Sequence, residues 1–218
     1  MKTLLTSILI LLFANVVPVH AQSDQYKQAM TDALNKMKTQ SEKTPVPDML
    51  AMANQFERIA GVETKEWLPR YYAGLMYVYL GFMGKDETEK DKFLDQADTN
   101  LKAALAMAPD NDELAVLKAY IAQSRMVVDP TNRWQQYGPL FQAGLEKAKS
   151  LNPNNPRPYV LEGTSLMYTP VQFGGGADAA CPVLKQAAEK FATFKPASDL
   201  HPMWGKEQIE PMLTKCPK

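Results

Sequence analysis

The sequence predicts an all-α fold built from repeated helix pairs, and three observations carry that reading. Apolar residues recur at helical spacing along most of the chain, as in Tyr26, Ala29, Met30, Ala33, Leu34 and Met37. Sustained apolar–polar alternation, the mark of half-buried strands, is scarce. A unit of helix, link, helix and proline also returns at a fixed period. Pro109, Pro153 and Pro196 close similar stretches at spacings of 44 and 43 residues, while Gly74, Ala119 and Gly163 mark the preceding helices at spacings of 45 and 44.

Taken in order, the chain opens on MKTLLTSILILLFANVVPVHAQ. Lys2, the apolar run from Leu4 to Val17 and Val19-His20-Ala21 have the layout of a secretory signal peptide, with cleavage after Ala21. An uncleaved anchor is the alternative, but the run is shorter than the roughly 20 residues a spanning helix needs. Residues 22–218 then read as a single helical domain. Its helices fall at Tyr26–Met37, Pro47–Gly61, Trp67–Gly81, Lys90–Met107, Asp112–Val127, Tyr137–Ser150, Pro158–Tyr168, Ala177–Phe194 and Gly205–Leu213.

This pattern resembles the tetratricopeptide repeat of exported bacterial proteins. Gly74, Tyr77 and the pair Leu80-Gly81 match the family's first helix, and Ala97, Leu101 and Ala104 before Pro109 match its second. Phe141, Leu145 and Ala148 before Pro153 repeat the second helix, as do Leu184, Ala188 and Phe191 before Pro196. The resemblance implies a right-handed α-solenoid of about four helix pairs with a C-terminal capping helix. The usual period is 34 residues. The excess here is expected within the pairs, in links at Gly81–Glu89, Val127–Gln136 and Thr169–Gly176, and in part as extra helical turns.

Composition narrows the function. The 24 basic and 24 acidic residues cancel, so no basic field attracts nucleic acid or anionic lipid. Export would leave His201 as the single histidine, too few for a histidine-rich metal or catalytic site. It would also expose Cys181 and Cys216 to an oxidising compartment, where pairing is the default. The helices from Ala177 and Gly205 are expected to pack antiparallel, which brings Cys181 beside Cys216 as a disulfide. A Cys181 nucleophile paired with His201 is the rival reading.

The stretch FGGG, Phe173 to Gly176, has neither the preceding strand nor the Lys-Ser/Thr pair of a phosphate loop. It reads as a turn after Pro170, with Phe173 folding inward and Asp178 capping the next helix. A ligand-contacting loop stays open beside that reading.

In the family the first helices line a concave groove. The matching positions are Tyr71, Leu75, Tyr79, Val116, Tyr120, Arg157, Val160 and Tyr168, an apolar and tyrosine-rich set. None is the Lys or Asn of the family's carboxylate clamp, so an acidic peptide tail fits poorly. An extended peptide or a small apolar ligand fits better. The same side chains could instead contact the N-terminal helix Asp24–Thr39 or a neighbouring repeat. Arg133, Trp134 and Phe173 are candidate edge contacts, with a buried Trp134 covered by Arg133 as the bland reading.

The expectation is a periplasmic or secreted, non-catalytic protein that binds a protein or extended peptide partner in a tyrosine-rich groove, without a cofactor or metal. A small-molecule or lipid-binding component is the alternative. An enzyme using carboxylates such as Glu162 or Asp178 lacks a supporting motif.

Overall fold

A computed structural model describes residues 23–41 and 43–217, so the expected signal peptide, residues 1–21, lies outside the described residues. The α-helices are α1 (Asp24–Lys38), α2 (Val46–Val62), α3 (Trp67–Met83), α4 (Glu87–Met107), α5 (Asp112–Val128), α6 (Pro130–Leu151), α7 (Arg157–Tyr168), α8 (Ala177–Thr193) and α9 (Lys206–Leu213), with one 3-10 turn at Val171–Phe173. The described residues contain no strand. Side-chain caps start several helices. Ser23 accepts from the Tyr26 amide, Asp86 from that of Glu89, Asn111 from that of Leu114 and Asp129 from that of Asn132.

Each helix packs on the next, most extensively α5 on α6 and α3 on α4, followed by α2 on α3 and α7 on α8. Helices joined by short connections pack antiparallel. Hence α3, α5 and α7 run in one direction and stand side by side, with α9 beside α7. Small residues allow the close approach within pairs. A Cβ at Gly163 would lie 2.5 Å from Leu184 Cδ2, and one at Gly144 would lie 2.9 Å from Ala119 Cβ.

Two expected links are mostly helix. The α3–α4 connection is Gly84 to Asp86, and the α5–α6 connection is Asp129 alone. The extra length of the repeat is therefore helical turns in both pairs. Asp129-Pro130 is the reason at the second: the carboxylate caps and proline occupies the first helical turn, where it gives up no intrahelical bond. Arg133 and Trp134 consequently sit on α6 rather than in a link.

The link from Thr169 to Gly176 is real. Gly174 and Gly176 have φ of +83° and +93°, and a Cβ at Gly175 would lie 2.1 Å from the Thr169 carbonyl oxygen. Two details of the expected turn are corrected. Phe173 is 74% exposed rather than folded inward, because the 3-10 turn points it away from the core. Asp178 makes no cap hydrogen bond, since Gly176 is the N-cap and Asp178 lies inside the first turn, where its charge faces the helix dipole favourably.

Cys181 and Cys216 form a disulfide with Cα atoms 5.7 Å apart, joining the start of α8 to the end of α9 as the antiparallel packing required. That pairing leaves Cys181 no free thiol to act as a nucleophile.

Candidate functional site

The face shared by α3, α5 and α7 carries the expected groove residues, and the structure divides them. Tyr71, Leu75, Val116, Val160 and Arg157 are fully buried. Tyr79 and Tyr120 are half-buried, and Tyr168 is 72% exposed at the end of α7. Cover comes from the strap between α8 and α9, residues 194–205, while Tyr26, Met30 and Leu34 of α1 share one hydrophobic cluster with Tyr71 and Leu75. The Tyr72 hydroxyl donates to the Leu200 carbonyl at 2.8 Å. The Trp204 indole N–H donates to the Tyr71 hydroxyl, also at 2.8 Å. Trp204 stacks on Tyr120 with ring centres 5.6 Å apart and planes 28° apart.

Beneath the strap lies a buried polar cluster. Arg157 donates to Glu113 Oε1 at 2.9 Å, to Asn155 Oδ1 at 3.2 Å and, through Nη2, to the Pro202 carbonyl. Asn155 also donates to Glu113 Oε1 and to Asp112 Oδ2. The cluster is costly: the second Glu113 oxygen and the Arg157 Nε are buried without a hydrogen bond. Burial pushes the Glu113 carboxyl up to about 7, against the opposing pull of Arg157. Burial likewise holds the Tyr71, Tyr79 and Tyr120 hydroxyls above their ordinary range and the His201 imidazole below its own.

What remains accessible is an aromatic surface at the edge of the strap. Phe82, 40% exposed, lies 5.8 Å from Tyr120, and Tyr79 meets Tyr120 edge-on at 6.2 Å. Half-buried Trp204, stacked on Tyr120, continues this surface from the strap. It offers stacking faces but no metal cage: the described residues contain no group of three or more His, Cys, Asp or Glu that could hold a metal ion. Two depressions of about 340 and 330 Å³, lined by residues such as Leu105 and Lys118 or Asp178 and Pro217, touch none of these aromatics.

The candidate edge contacts are also divided. Trp134 is 56% exposed, not buried. Arg133 does not cover it but makes paired hydrogen bonds to Asp91 at 2.7 and 2.8 Å, so its charge is committed to α4. Those bonds hold the Asp91 carboxyl below its usual range. Phe82, Val127, Trp134, Tyr168, Val171 and Phe173 form the exposed apolar set around the carboxyl ends of α3, α5 and α7.

Trp204 and Phe82 are the functional candidates the sequence reading missed. Phe82 lies beyond the groove positions counted from Gly74. Trp204 sits in HPMWG, between helices, where no periodicity marks a residue as packed. A tryptophan between proline and glycine was the available signal.

No protein-family model matches the chain, and no curated protein does. Among solved structures the chain is similar to the HusA haemophore from Porphyromonas gingivalis, with 32% sequence identity and a TM-score of 0.77 over 90% of this chain and 94% of that one.

Proposed function

We propose, from the premise that the chain belongs to the family of the HusA haemophore, that it is an exported, non-catalytic binding protein for haem or a closely similar flat tetrapyrrole. The observation that carries the proposal is the 32% identity over almost the whole of a protein described as a haemophore. The site we assign is the accessible aromatic surface of Tyr79, Phe82, Tyr120 and Trp204. Its chemistry suits a large planar π-system: stacking and edge contacts supply affinity that needs no reaction. In this reading Tyr71, Leu75, Val116, Arg157 and Val160 support the surface from below, and Tyr168 flanks it. The iron is cargo, and no residue is assigned as its ligand.

Export rests on the signal-like N-terminus and agrees with the Cys181–Cys216 disulfide. A right-handed solenoid of tetratricopeptide-like pairs is our reading of the architecture. The common direction of α3, α5 and α7 and the close approaches at Gly144 and Gly163 support it.

One observation favours a second reading, docking of a protein partner: the exposed apolar side chains Val127, Trp134, Tyr168, Val171 and Phe173. The two readings part on one experiment. Haemin is titrated into the mature chain, residues 22–218, and into a Phe82→Ala/Tyr120→Ala variant, followed by absorbance. Saturable binding that weakens at least tenfold in the variant supports the haem site. Absence of saturable binding removes it and leaves the partner reading.

A further inference from the structure

The strap that carries Trp204 has few regular backbone bonds of its own, yet Trp204 sits in one defined orientation. Three of its contacts converge on one side chain. The Arg157 guanidinium lies 4.8 Å from the centre of the Phe194 ring, where the strap begins. Its Nη2 donates to the Pro202 carbonyl, in the middle of the strap. It also lies 5.8 Å from the Trp204 ring. On its other side Glu113 and Asn155 fix the guanidinium to α5 and to the turn before α7. Arg157 is fully buried, so water cannot replace these bonds.

We infer that Arg157 is the positioning residue of the ligand surface: it grips the strap at Phe194, Pro202 and Trp204 and thereby holds the indole in line with Tyr120 and Phe82. The inference rests on the proposed site. Its chemical basis is the planar fork of the guanidinium, which serves Glu113 with one nitrogen and the strap with another while its faces meet aromatic rings. A lysine keeps the charge beside Glu113 but has neither the fork nor the flat face. It therefore separates positioning from charge.

The test uses the mature chain with haemin as the probe. Two quantities are measured: the haemin dissociation constant, and the NMR resonance of the Trp204 indole N–H, assigned through Trp204→Phe. Met52→Ala serves as control for lost core packing, since Met52 is buried in α2, outside the strap and the helices that carry the site. Arg157→Lys is expected to shift or broaden the Trp204 indole resonance and raise the dissociation constant at least tenfold, while Met52→Ala lowers the unfolding midpoint and moves neither. If Arg157→Lys does not fold, Glu113→Gln takes its place, retaining shape while loosening the guanidinium, with the same resonance shift and about a threefold weaker affinity expected. An unmoved indole resonance, or equal weakening by Met52→Ala, overturns the inference and leaves Arg157 purely structural. Unchanged affinity in Tyr120→Ala overturns the site itself, and the inference with it. Weakening by Tyr120→Ala but not by the Arg157 or Glu113 variant overturns the positioning role alone.

Discussion

The indole N–H of Trp204 donates to the hydroxyl of Tyr71 at 2.8 Å, joining residues 133 positions apart in the chain. Trp204 packs against all three hydrophobic clusters: the one spanning α1 to α5, the one between α5, α6 and α7, and the one shared by α7, α8 and α9. One side chain thus connects regions whose other contacts are mainly between neighbouring helices. Trp204→Ala is expected to cost about 3 kcal/mol, at the lower end for a tryptophan truncation because the residue is half-buried. Trp204→Phe keeps much of the packing but leaves the Tyr71 hydroxyl without its partner, at about 1–2 kcal/mol. Urea unfolding of the two variants measures the difference. No loss in Trp204→Phe would mean that the hydrogen bond contributes nothing beyond the ring, and equal losses would mean that the phenyl ring recovers none of the packing.

The glycine link gives a pair of predictions of unequal size. At Gly174 an added Cβ meets nothing within 4 Å, so Gly174→Ala carries only the strain of a positive φ, about 1 kcal/mol. At Gly175 the Cβ collides with the Thr169 carbonyl, and the link must move, at about 2–3 kcal/mol or more. Thermal unfolding ranks them. The reverse order would mean that the link is not built as described.

The all-helical class and the end-to-end disulfide are legible in the sequence. Pro109, Pro153 and Pro196 gave the period, and the antiparallel end helices gave the disulfide. The second link was misjudged because the helix expected from Tyr137 begins at Pro130. Asp129-Pro130, the true helix start, was overlooked. The half-covered state of the tyrosine face was illegible for a different reason. It depends on a strap without periodicity folding back across more than a hundred residues, and local pattern carries no record of such a contact. Arg157 was named as a groove residue, but its burial under Pro202 follows only from that return.

Glu113 makes stability depend on pH near neutrality. Its carboxyl ordinarily titrates near 4.5 and is raised to about 7 in the fold, so between those values the folded protein holds a proton that the unfolded chain has released. Stability from this group is complete below about 4.5 and is lost as pH rises towards 7, with a slope approaching about 1.4 kcal/mol per pH unit. His201 acts oppositely. Its affinity for a proton is lowered in the fold, so below its ordinary value of 6.5 stability falls with falling pH. The two slopes oppose each other below 6.5, and the net decline is expected just above it. Urea midpoints from pH 5 to 8 should show that decline in the wild type and not in Glu113→Gln. An identical profile for both would mean that Glu113 is ionised throughout.

The Cys181–Cys216 disulfide closes a separation of 35 residues that contains α8, the strap and α9. In the chain-entropy treatment a loop of that length stabilises the fold by about 3–4 kcal/mol. The loss on Cys181→Ser/Cys216→Ser should not spread evenly. Helix α9 is short, buries only Ile209 completely, and packs on α7 and α8, with Gln208 reaching the Tyr79 side chain on α3. The strap has independent anchors at Tyr71, Tyr72 and Arg157. Hydrogen exchange of the double variant should therefore show α9 amides deprotected first, by about a hundredfold or more, with the amides of α3 and α5 changed only as far as global stability falls. Uniform deprotection would mean that α9 opens only when the whole molecule does. In that case the disulfide would act on the entire fold rather than pinning its last helix.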